Sequence, residues 1–535
     1  MNVDGKHDTI RRRGIISAFA LATLMLCGGN ALAQHTLRWA TQAGISTLDP
    51  AAAGDSATRN LLLNVYEGLL RQDKELRVEP ELATSWTVVS PTLTRFTLRP
   101  GVVFHNGDPF TAADVVFSFK RATAPTADIR GKLRAIKDIR AVDAMTVEVE
   151  THRPDAILLN ELMVLPIMSQ AWATKNGAAD PADNRRSGKE NFATRNANGT
   201  GPFKVVSYET DVKVELVRHD RWWDKRTDNL AGATLLPIKA AATRLAALLS
   251  GQVDLIAPIS GQDEPRVRNA PGYDVVRAPE ARVVYLGFDQ SRDVLLYSSI
   301  KDRNPFKDVR VRKAVARAID TGLIQSVVMR GASIPLDAMI PPVVDGWDPS
   351  FAIRPPADLA LAKRLLTEAG YPNGFTVTLD CPNEGIANAE QVCIAVVGML
   401  GKIGIKVDLL AQPRLLHAGK LGRRDTSFFL HSWGTNTFDA HATMDMLMFT
   451  PGPGVGTWNV GSYSNESLDR SIRAISSELD MSKRRKMMVQ ALQSFREDAG
   501  AIPLHQQVLL YGVNKKVQFS PRADDALQLR WVTIK

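Results

Sequence analysis

Side chains that could bind a soft metal ion lie close together in the last third of the chain. They are His431, His441, Met444, Met446 and Met448. Imidazole and thioether groups suit a soft metal, and the four-residue spacing of Met444 and Met448 places them on one face of a helix. Methionine is also a common filler of hydrophobic cores, and the run 446–449 is typical of packing. We therefore predict packing and no metal ligands here.

Signatures of catalysis are weak. The chain has neither the Gly-x-Ser-x-Gly motif of a serine nucleophile nor the His-Glu-x-x-His motif of a zinc protease, and its nine histidines lack ligand spacing. A glycine-rich turn at 198–205 contains Pro202 and is not followed by Lys-Ser/Thr, which argues against a phosphate-binding P-loop. A Ser/His/Asp triad assembled from distant positions stays open. We predict no catalytic residue and no cofactor, with a periplasmic hydrolase as a distant alternative.

The first 33 residues have the pattern of an export leader. Residues 11–13 are arginines, residues 14–26 are apolar but too few to span a bilayer, and Ala-Leu-Ala at 31–33 is a small-x-small cleavage site. We predict a signal peptide over 1–33, a mature chain that begins at Gln34, and a periplasmic location. Whether export uses the general or the twin-arginine route stays open.

Two of the three cysteines are expected to form a disulfide. Cys27 lies within the leader, and Leu26 stands before it where a lipid-attachment motif needs a small residue, so we expect no lipid anchor. Cys381 and Cys393 remain after cleavage, twelve positions apart, in an oxidising compartment that favours disulfides. No histidine or second cysteine pair lies nearby at zinc-ligand spacing. We predict the pair Cys381–Cys393.

Composition and charge are those of a globular protein. Hydrophobic residues make up 44% and charged residues 23% of the chain, and no stretch after the leader is apolar and long enough to cross a membrane. The net charge of +9 could indicate nucleic-acid binding, but the basic residues are scattered among acidic ones. We interpret the one dense basic run, residues 483–486, as the solvated face of a helix. We expect about three structural units of ~150 residues each and no nucleic-acid partner.

Residues 96–119 carry the most informative local signals. Phe96 and Leu98 alternate with polar residues, which is the period of a half-buried strand. Pro-Gly and Asn-Gly dipeptides then predict two turns. Thr111, followed three residues later by Asp114, is a capping-box pattern that begins a helix.

Strand and helix patterns alternate along the rest of the chain. Gly370 with Pro372 beyond it predicts the end of one helix, and the alternation implies an α/β layer. Helices are predicted at 61–70, 244–249, 305–320, 357–369 and 392–403, and strands at 37–41, 253–256, 283–288, 375–379 and 405–409.

The order of these motifs closely resembles the extracytoplasmic solute-binding proteins of peptide and nickel ABC importers, family 5. The resemblance extends over essentially the whole mature chain. The matching segments are 48–50 (Leu-Asp-Pro), 66–69 (Tyr-Glu-Gly-Leu), 80–86, 96–119, 199–203 (Gly-Thr-Gly-Pro-Phe), 305–320, 361–372 and 404–407.

The resemblance implies an α/β, two-lobed periplasmic-binding-protein-like fold of the cluster C type. The first lobe would span 34–282, with an inserted subdomain at about 82–198, and the second lobe would span 283–502. Residues 503–535 would return to the first lobe, so that two segments cross between the lobes and can act as a hinge.

The function that the resemblance implies is capture of a small solute, most simply a peptide or peptide-like compound, by lobe closure. The closed complex would dock on an inner-membrane ABC permease with its ATPases, and the receptor itself would be a monomer. The nickel or metal-chelate receptor of the same fold is the alternative.

In similar peptide receptors, a loop with the motif Gly-Trp-x-x-Asp forms one wall of the site, and its Asp binds the α-ammonium of the ligand. Here Trp433 matches the tryptophan, but Asn436 stands at the Asp position and Ser432 at the glycine. Asp439 follows three residues later, and whether it replaces the missing charge stays open. The resemblance therefore predicts a ligand other than a simple dipeptide, such as a γ-linked or modified peptide or an opine-like conjugate.

The opposite wall would include the end of the first strand and the loop after it. Apart from Trp433 and Asn436, each candidate is equally compatible with ordinary packing or surface. The predicted ligand contacts are Thr41, Gln42, Ser46, Leu48, Tyr285, Phe288, Trp433, Gly434, Thr435, Asn436, Asp439 and His505.

Overall fold

A computed structural model describes residues 35–183, 187–435 and 437–535. The predicted leader, its cleavage site before Gln34, and Asn436 lie outside the described residues. Within them, no helix is both long and apolar enough to cross a membrane.

The described residues form short strands and helices in alternation. The strands are β1 (His35–Thr41), β2 (Leu70–Gln72), β3 (Val78–Pro80), β4 (Ala83–Ser90), β5 (Leu93–Leu98), β6 (Ile136–Asp143), β7 (Thr146–Thr151), β8 (Phe203–Glu209), β9 (Lys213–Arg218), β10 (Leu230–Pro237), β11 (Leu255–Ala257), β12 (Tyr273–Phe288), β13 (Ser333–Pro335), β14 (Thr376–Pro382), β15 (Lys406–Gln412), β16 (Phe428–Gly434), β17 (Ile502–Asn514), β18 (Val517–Gln518) and β19 (Thr533–Ile534). The α-helices are α1 (Ser56–Leu62), α2 (Ala112–Thr123), α3 (Leu158–Leu162), α4 (Gln170–Lys175), α5 (Phe192–Arg195), α6 (Ala241–Leu249), α7 (Glu264–Arg268), α8 (Val309–Ala318), α9 (Thr321–Leu323), α10 (Leu359–Glu368), α11 (Ala389–Gly401), α12 (Arg414–Gly422), α13 (Ala440–Thr443), α14 (Glu466–Ser477) and α15 (Met481–Glu497). Short 3-10 or π turns occur at Pro50–Ala52, Arg130–Leu133, Pro305–Lys307, Ile324–Val328, Pro349–Ala352, Met444–Met448 and Leu529–Trp531.

One mixed sheet runs through both lobes, in the order β15-β14-β16-β12-β17-β11-β1-β10-β9-β8, with β13 paired to β17. Its β14 side carries the second-lobe core, where buried Val, Leu and Phe side chains pack under α8 and α11. Its β1 side carries the first-lobe core, which includes residues of the C-terminal segment such as Leu529. The predicted two-lobed α/β fold is thus present.

The segment that we expect to form an inserted subdomain contains a separate sheet with its own core. Strands β4-β5-β7-β6 form a separate antiparallel sheet, and α2 covers it through buried Val115 and Phe119. The capping box predicted from sequence begins α2, because the Asp114 carboxylate accepts hydrogen bonds from the Thr111 amide (2.9 Å) and hydroxyl (3.1 Å). The predicted end of α10 is also present, since Gly370 adopts φ +88° and the helix has stopped before it.

Two long strands connect the lobes. β12 and β17 are antiparallel neighbours, and their register shifts between Pro279 and Val283 and again between Val284 and Tyr285. An interrupted ladder is easier to bend than a continuous one, because a bulge leaves residues without regular pairing. The predicted lobe boundary at 282/283 falls inside this interruption, and the boundary at 502/503 falls at the start of β17.

Two local predictions were wrong. The helix predicted at 61–70 ends at Leu62, because the Asn64 side chain bonds Leu61 and Leu527 carbonyls and the Leu529 amide instead of letting the helix continue. The basic run 483–486 is not uniformly solvated, since Arg484 is fully buried on the inner face of α15.

The predicted disulfide is confirmed. Cys381 on β14 is bonded to Cys393 on α11, and both are fully buried in the second-lobe core. The bond closes a short loop and restricts the unfolded chain, which is worth ~3 kcal/mol in the chain-entropy model.

We expect that replacing both Cys381 and Cys393 by alanine lowers the free energy of unfolding by ~3 kcal/mol. Denaturant unfolding with and without a reductant measures this effect: the reductant should destabilise the wild type and leave the double variant unchanged. Two reactive thiols in unreduced, denatured mature protein would contradict the pairing.

Candidate functional site

Three cavities follow one another between the lobes. The outer cavity, about 580 Å³, is lined by residues of both lobes. The inner cavity, about 130 Å³, shares Phe438 with the outer one. The first-lobe cavity, about 210 Å³, shares Ser56 and Asn60 with the inner one. Because neighbouring cavities share lining residues, we treat the three as one candidate ligand site that extends from the lobe interface into the first lobe.

Phe438 closes the inner cavity from the side of the second lobe. Its ring is buried with Leu76 and Ala523 of the first lobe and with Ala281 on β12. The backbone at Phe438 is left-handed, with φ +54°, a conformation that bulky residues rarely adopt. Two backbone hydrogen bonds with Asp345 hold the loop in place. The Asp345 amide donates to the Phe438 carbonyl at 2.8 Å, and the Ala440 amide donates to the Asp345 carbonyl at 2.9 Å.

The first-lobe cavity brings together two predicted contacts. Thr41 and Gln42, at the end of β1, line it beside Tyr511 of β17 and Asp525 of the C-terminal segment. Ser46 lies outside this lining; its hydroxyl is 2.9 Å from the Asp55 carboxylate and 3.1 Å from the Thr58 hydroxyl. Ser46 therefore supports the start of α1, whose other residues form the cavity wall.

We call the loop that carries the Trp433 motif, residues 433–439, the tryptophan loop. It begins at the end of β16, which pairs with β12. Trp433 is half-buried against Trp458, with ring centres 6.2 Å apart, and its indole nitrogen is buried without a hydrogen-bond partner in the described residues. Gly434 lies so close to β12 that an added Cβ would be 3.2 Å from the Ala281 carbonyl oxygen. The Thr435 and Thr437 hydroxyls are 3.1 Å apart. Asn436 lies outside the described residues.

Asp439 is engaged in the protein. It is buried, and both of its carboxylate oxygens are bound by Arg484, at 2.5 and 2.9 Å. One of them also accepts from the His441 amide and caps α13. The guanidinium of Arg484 already neutralises this carboxylate and occupies both of its oxygens. The structure therefore does not support Asp439 as a replacement for the missing aspartate.

Four other predicted contacts are packed inside the lobes. Leu48 and Phe288 are fully buried in the first-lobe and second-lobe cores. Tyr285 is buried against Phe429, and burial raises the pKa of its hydroxyl. His505 is buried with neither ring nitrogen hydrogen-bonded in the described residues, and burial lowers its pKa to about 4. Direct ligand contact at these positions stays a prediction that their burial does not support.

Three of the histidines and methionines first considered as metal ligands are engaged in packing. Met444 and Met448 are core residues of the second lobe, and His431 is stacked on Trp458 at 6.0 Å. Among the described residues, no group of three or more His, Cys, Asp or Glu side chains is arranged to hold a metal ion.

Polar contacts join the lobes at the rim of the outer cavity. Arg134 of the inserted subdomain donates to the Asp445 carboxylate and to the Gly454 carbonyl in the second lobe. The Asn160 amide donates to the Thr437 carbonyl at 2.8 Å. These contacts exist only when the lobes are together.

A buried carboxyl group lies beside these contacts. Glu161 on α3 is near Asp155, Asp445, Arg134 and Arg153; burial and then the neighbouring Asp155 carboxylate raise its pKa from an ordinary value near 4.5 to about 8. Opening the lobes would remove Asp445 and admit water, and both changes lower this pKa. The closed state therefore binds a proton that the open state releases.

Ionisation of Glu161 should oppose binding as the pH rises from 6 to 8, and should lower the ligand affinity of the wild type relative to Glu161→Gln by at most about tenfold per pH unit. The sign follows from the raised pKa: protonation favours closure below it, and this contribution is lost as the pH rises through it. Calorimetric titrations of both proteins across this range measure the ratio of their affinities, from which the pH dependence of other groups cancels. A ratio of wild-type to Glu161→Gln affinity that stays constant or rises with pH would contradict the assignment.

Several residues of the site carried no sequence signal of their own. Phe438 lies within the tryptophan loop, but only its neighbours matched the family motif. Asn60, Tyr511 and Asp525 come from three distant segments, and their approach depends on the return of the C-terminal segment to the first lobe.

Comparison with known proteins places this geometry in context. The sequence profile of the bacterial extracellular solute-binding proteins, family 5 Middle, matches residues 77–454. The glutathione-binding protein GsiB of Pectobacterium atrosepticum is 26% identical over 520 residues, which cover 95% of each chain.

Solved structures share the fold. The ABC transporter-associated periplasmic binding protein DppA from Helicobacter pylori, in complex with the peptide STSA, matches 94% of this chain and 98% of its own with a TM-score of 0.76 and 22% identity. The ABC transporter substrate-binding protein CtaP from Listeria monocytogenes matches 94% and 99%, with a TM-score of 0.81 and 19% identity.

Proposed function

Because this chain belongs to the bacterial extracellular solute-binding proteins, family 5, we propose that it captures a small peptide-like solute between its lobes and delivers it to an ABC import permease. The row of cavities between the lobes, closed by Phe438, is the observation that carries this proposal. Loops from both lobes line the outer cavity, so a bound solute would hold them together.

The ligand class follows from the tryptophan loop and from the relatives. Asn436 has the shape of aspartate without its charge, and Asp439 is occupied by Arg484. GsiB relatives are glutathione-binding proteins by name, and glutathione is a γ-linked tripeptide. We therefore propose a γ-linked or otherwise modified peptide, bound by Trp433, Gly434, Thr435 and Asn436 from the second lobe and by Thr41 and Gln42 from the first.

The remaining parts of the proposal concern the cell. Residues 1–33 would direct export and be removed before Gln34, and the mature receptor would act as a monomer in the periplasm. Its partner would be an inner-membrane permease with its ATPases, which dock on the closed form.

Small-angle scattering combined with calorimetry tests capture by closure. Glutathione and a panel of di- to tetrapeptides are titrated, and any compound that binds should reduce the radius of gyration. Proven binding with an unchanged radius would contradict the hinge mechanism.

We further expect that N-acetylation of α-linked di- to tetrapeptides changes their affinity by less than tenfold. A neutral Asn436 gains ~1 kcal/mol from a hydrogen bond, against ~1.5–3 kcal/mol for a charge-assisted bond to an ammonium. Paired calorimetry of free and acetylated peptides, with Asn436→Asp as the comparison variant, measures this. Free peptides that bind at least tenfold tighter to the wild type would contradict the idea.

A further inference from the structure

The first-lobe cavity combines apolar walls with a single free carboxylate. Five leucines form much of its apolar surface, Tyr511 and several uncharged polar residues line it as well, and Asp525 is the one charged residue among the described residues of its lining. The leucines are Leu61, Leu235, Leu255, Leu509 and Leu527. Such a chamber suits an aliphatic group that ends in one polar head.

Asp525 is held in a defined position. The Tyr511 hydroxyl donates to its carboxylate at 2.6 Å, and the Asn60 amide donates to its backbone carbonyl at 3.1 Å. Its backbone is left-handed, with φ +59°, which aspartate tolerates better than most residues. The carboxylate is thus positioned by contacts from α1 and β17, and it does not depend on a ligand for its orientation.

The neighbouring acidic groups have cationic partners, whereas Asp525 has none. Glu280 is paired with Arg282 at 2.8 Å, and Asp524 with Arg522 at 2.5 Å. Within the described ranges, no lysine, arginine or histidine forms a salt bridge with Asp525. Arg282 acts on Asp525 only through space and is itself paired with Glu280, so the Asp525 carboxylate has no cation of its own in the described part of the chain.

Asp525 is also accessible. Protein surrounds its carboxylate on most sides, yet part of the residue is exposed, and it lines the first-lobe cavity. Desolvation, and next the Glu280 carboxylate, raise the pKa of Asp525 to about 7. A cation in the cavity would oppose both effects and favour the ionised carboxylate.

We propose that Asp525, with Tyr511, binds an ammonium group that the ligand carries on an aliphatic arm, the arm lying in the first-lobe cavity. This deepens the proposed function, because it assigns the charge recognition missing at Asn436 to the opposite wall of the same site. A peptide with a basic aliphatic side chain, such as that of lysine, has such an arm. An anionic or purely apolar arm would be rejected, because it leaves Asp525 unpaired.

The test uses two small probes of nearly equal shape, n-butylammonium chloride and n-butanol, in ligand-observed NMR titrations of the mature protein. The wild type should bind n-butylammonium roughly tenfold tighter than n-butanol, the difference expected between a charged and a neutral hydrogen bond. Asp525→Asn should reduce this ratio to less than about twofold. Asp293→Asn, which removes an exposed carboxylate elsewhere, controls for net charge and should keep the wild-type ratio.

Equal binding of the two probes to the wild type would overturn the proposal, whether or not the variants fold. An unchanged preference in folded Asp525→Asn would overturn it as well. These outcomes do not depend on lobe closure. Scattering with glutathione or a peptide tests capture in the same preparation. Failure of the subsite is therefore distinguished from failure of the receptor function.

Discussion

Replacing Arg484 by methionine is expected to lower the free energy of unfolding by ~3–5 kcal/mol. Arg484 is fully buried and binds both carboxylate oxygens of Asp439, and its Nε also donates to the Ile475 carbonyl at 3.1 Å. Methionine fills similar space but leaves the Asp439 charge buried without a partner. Denaturant unfolding of the wild type and of Arg484→Met measures the loss.

The neighbouring Arg485 provides a matched control. It pairs with Asp345 at 2.6 Å, but its side chain is 61% exposed, and exposed pairs contribute ~0–1 kcal/mol. Arg485→Met should therefore change stability little. If Arg484→Met cost no more than Arg485→Met, the buried pair with Asp439 would not stabilise the fold more than an exposed pair does. The double variant Asp439→Asn with Arg484→Met should recover part of the loss, since it removes the unpaired charge.

The variant Phe438→Ala is expected to bind ligand about 30-fold more weakly than the wild type, which corresponds to ~2 kcal/mol. Phe438 packs on Leu76, Ala281 and Ala523, and these contacts form when the lobes come together. Alanine removes the ring and opens the inner cavity to solvent. The effect should appear mainly as faster dissociation, because the closed state is the one that loses contacts.

Stopped-flow dissociation of a ligand identified by calorimetry measures this effect. Phe192→Ala is the control for loss of a phenyl ring, because Phe192 is largely exposed on the first lobe and contacts Trp172. Its dissociation rate should equal that of the wild type. Equal rates for Phe438→Ala would show that the ring does not close the site.

Local sequence signals predicted the elements that depend on neighbouring residues. The Thr111–Asp114 capping box begins α2, and Gly370 follows the end of α10, because each signal acts within a few residues of backbone. The pair Cys381–Cys393 is equally local, since one strand and the next helix place the two cysteines together. The order of family motifs indicated the two-lobed fold.

Signals failed where a distant segment decides the outcome. The helix predicted at 61–70 ends early because Asn64 bonds the C-terminal residues Leu527 and Leu529. Arg484 was interpreted as solvated with its basic neighbours, since sequence alone does not show that Asp439 lies on its inner side. Asp439 was considered as the residue that binds the ligand ammonium, because the sequence does not show its pairing with Arg484.

The sequence by itself determined the family, the α/β fold, the disulfide and the absence of charge at Asn436, because these depend on residue identity and short-range order. Only the tertiary structure decided which carboxylate is free. Asp439 and Asp525 are the same residue type in the sequence. Arg484, 45 residues away in the chain, neutralises Asp439. Tyr511 and Asn60 instead position Asp525 at a cavity, where it has no salt-bridge partner among the described residues. Charge pairing over such separations depends on how the chain folds back, and that is set by packing of both lobes rather than by any local pattern.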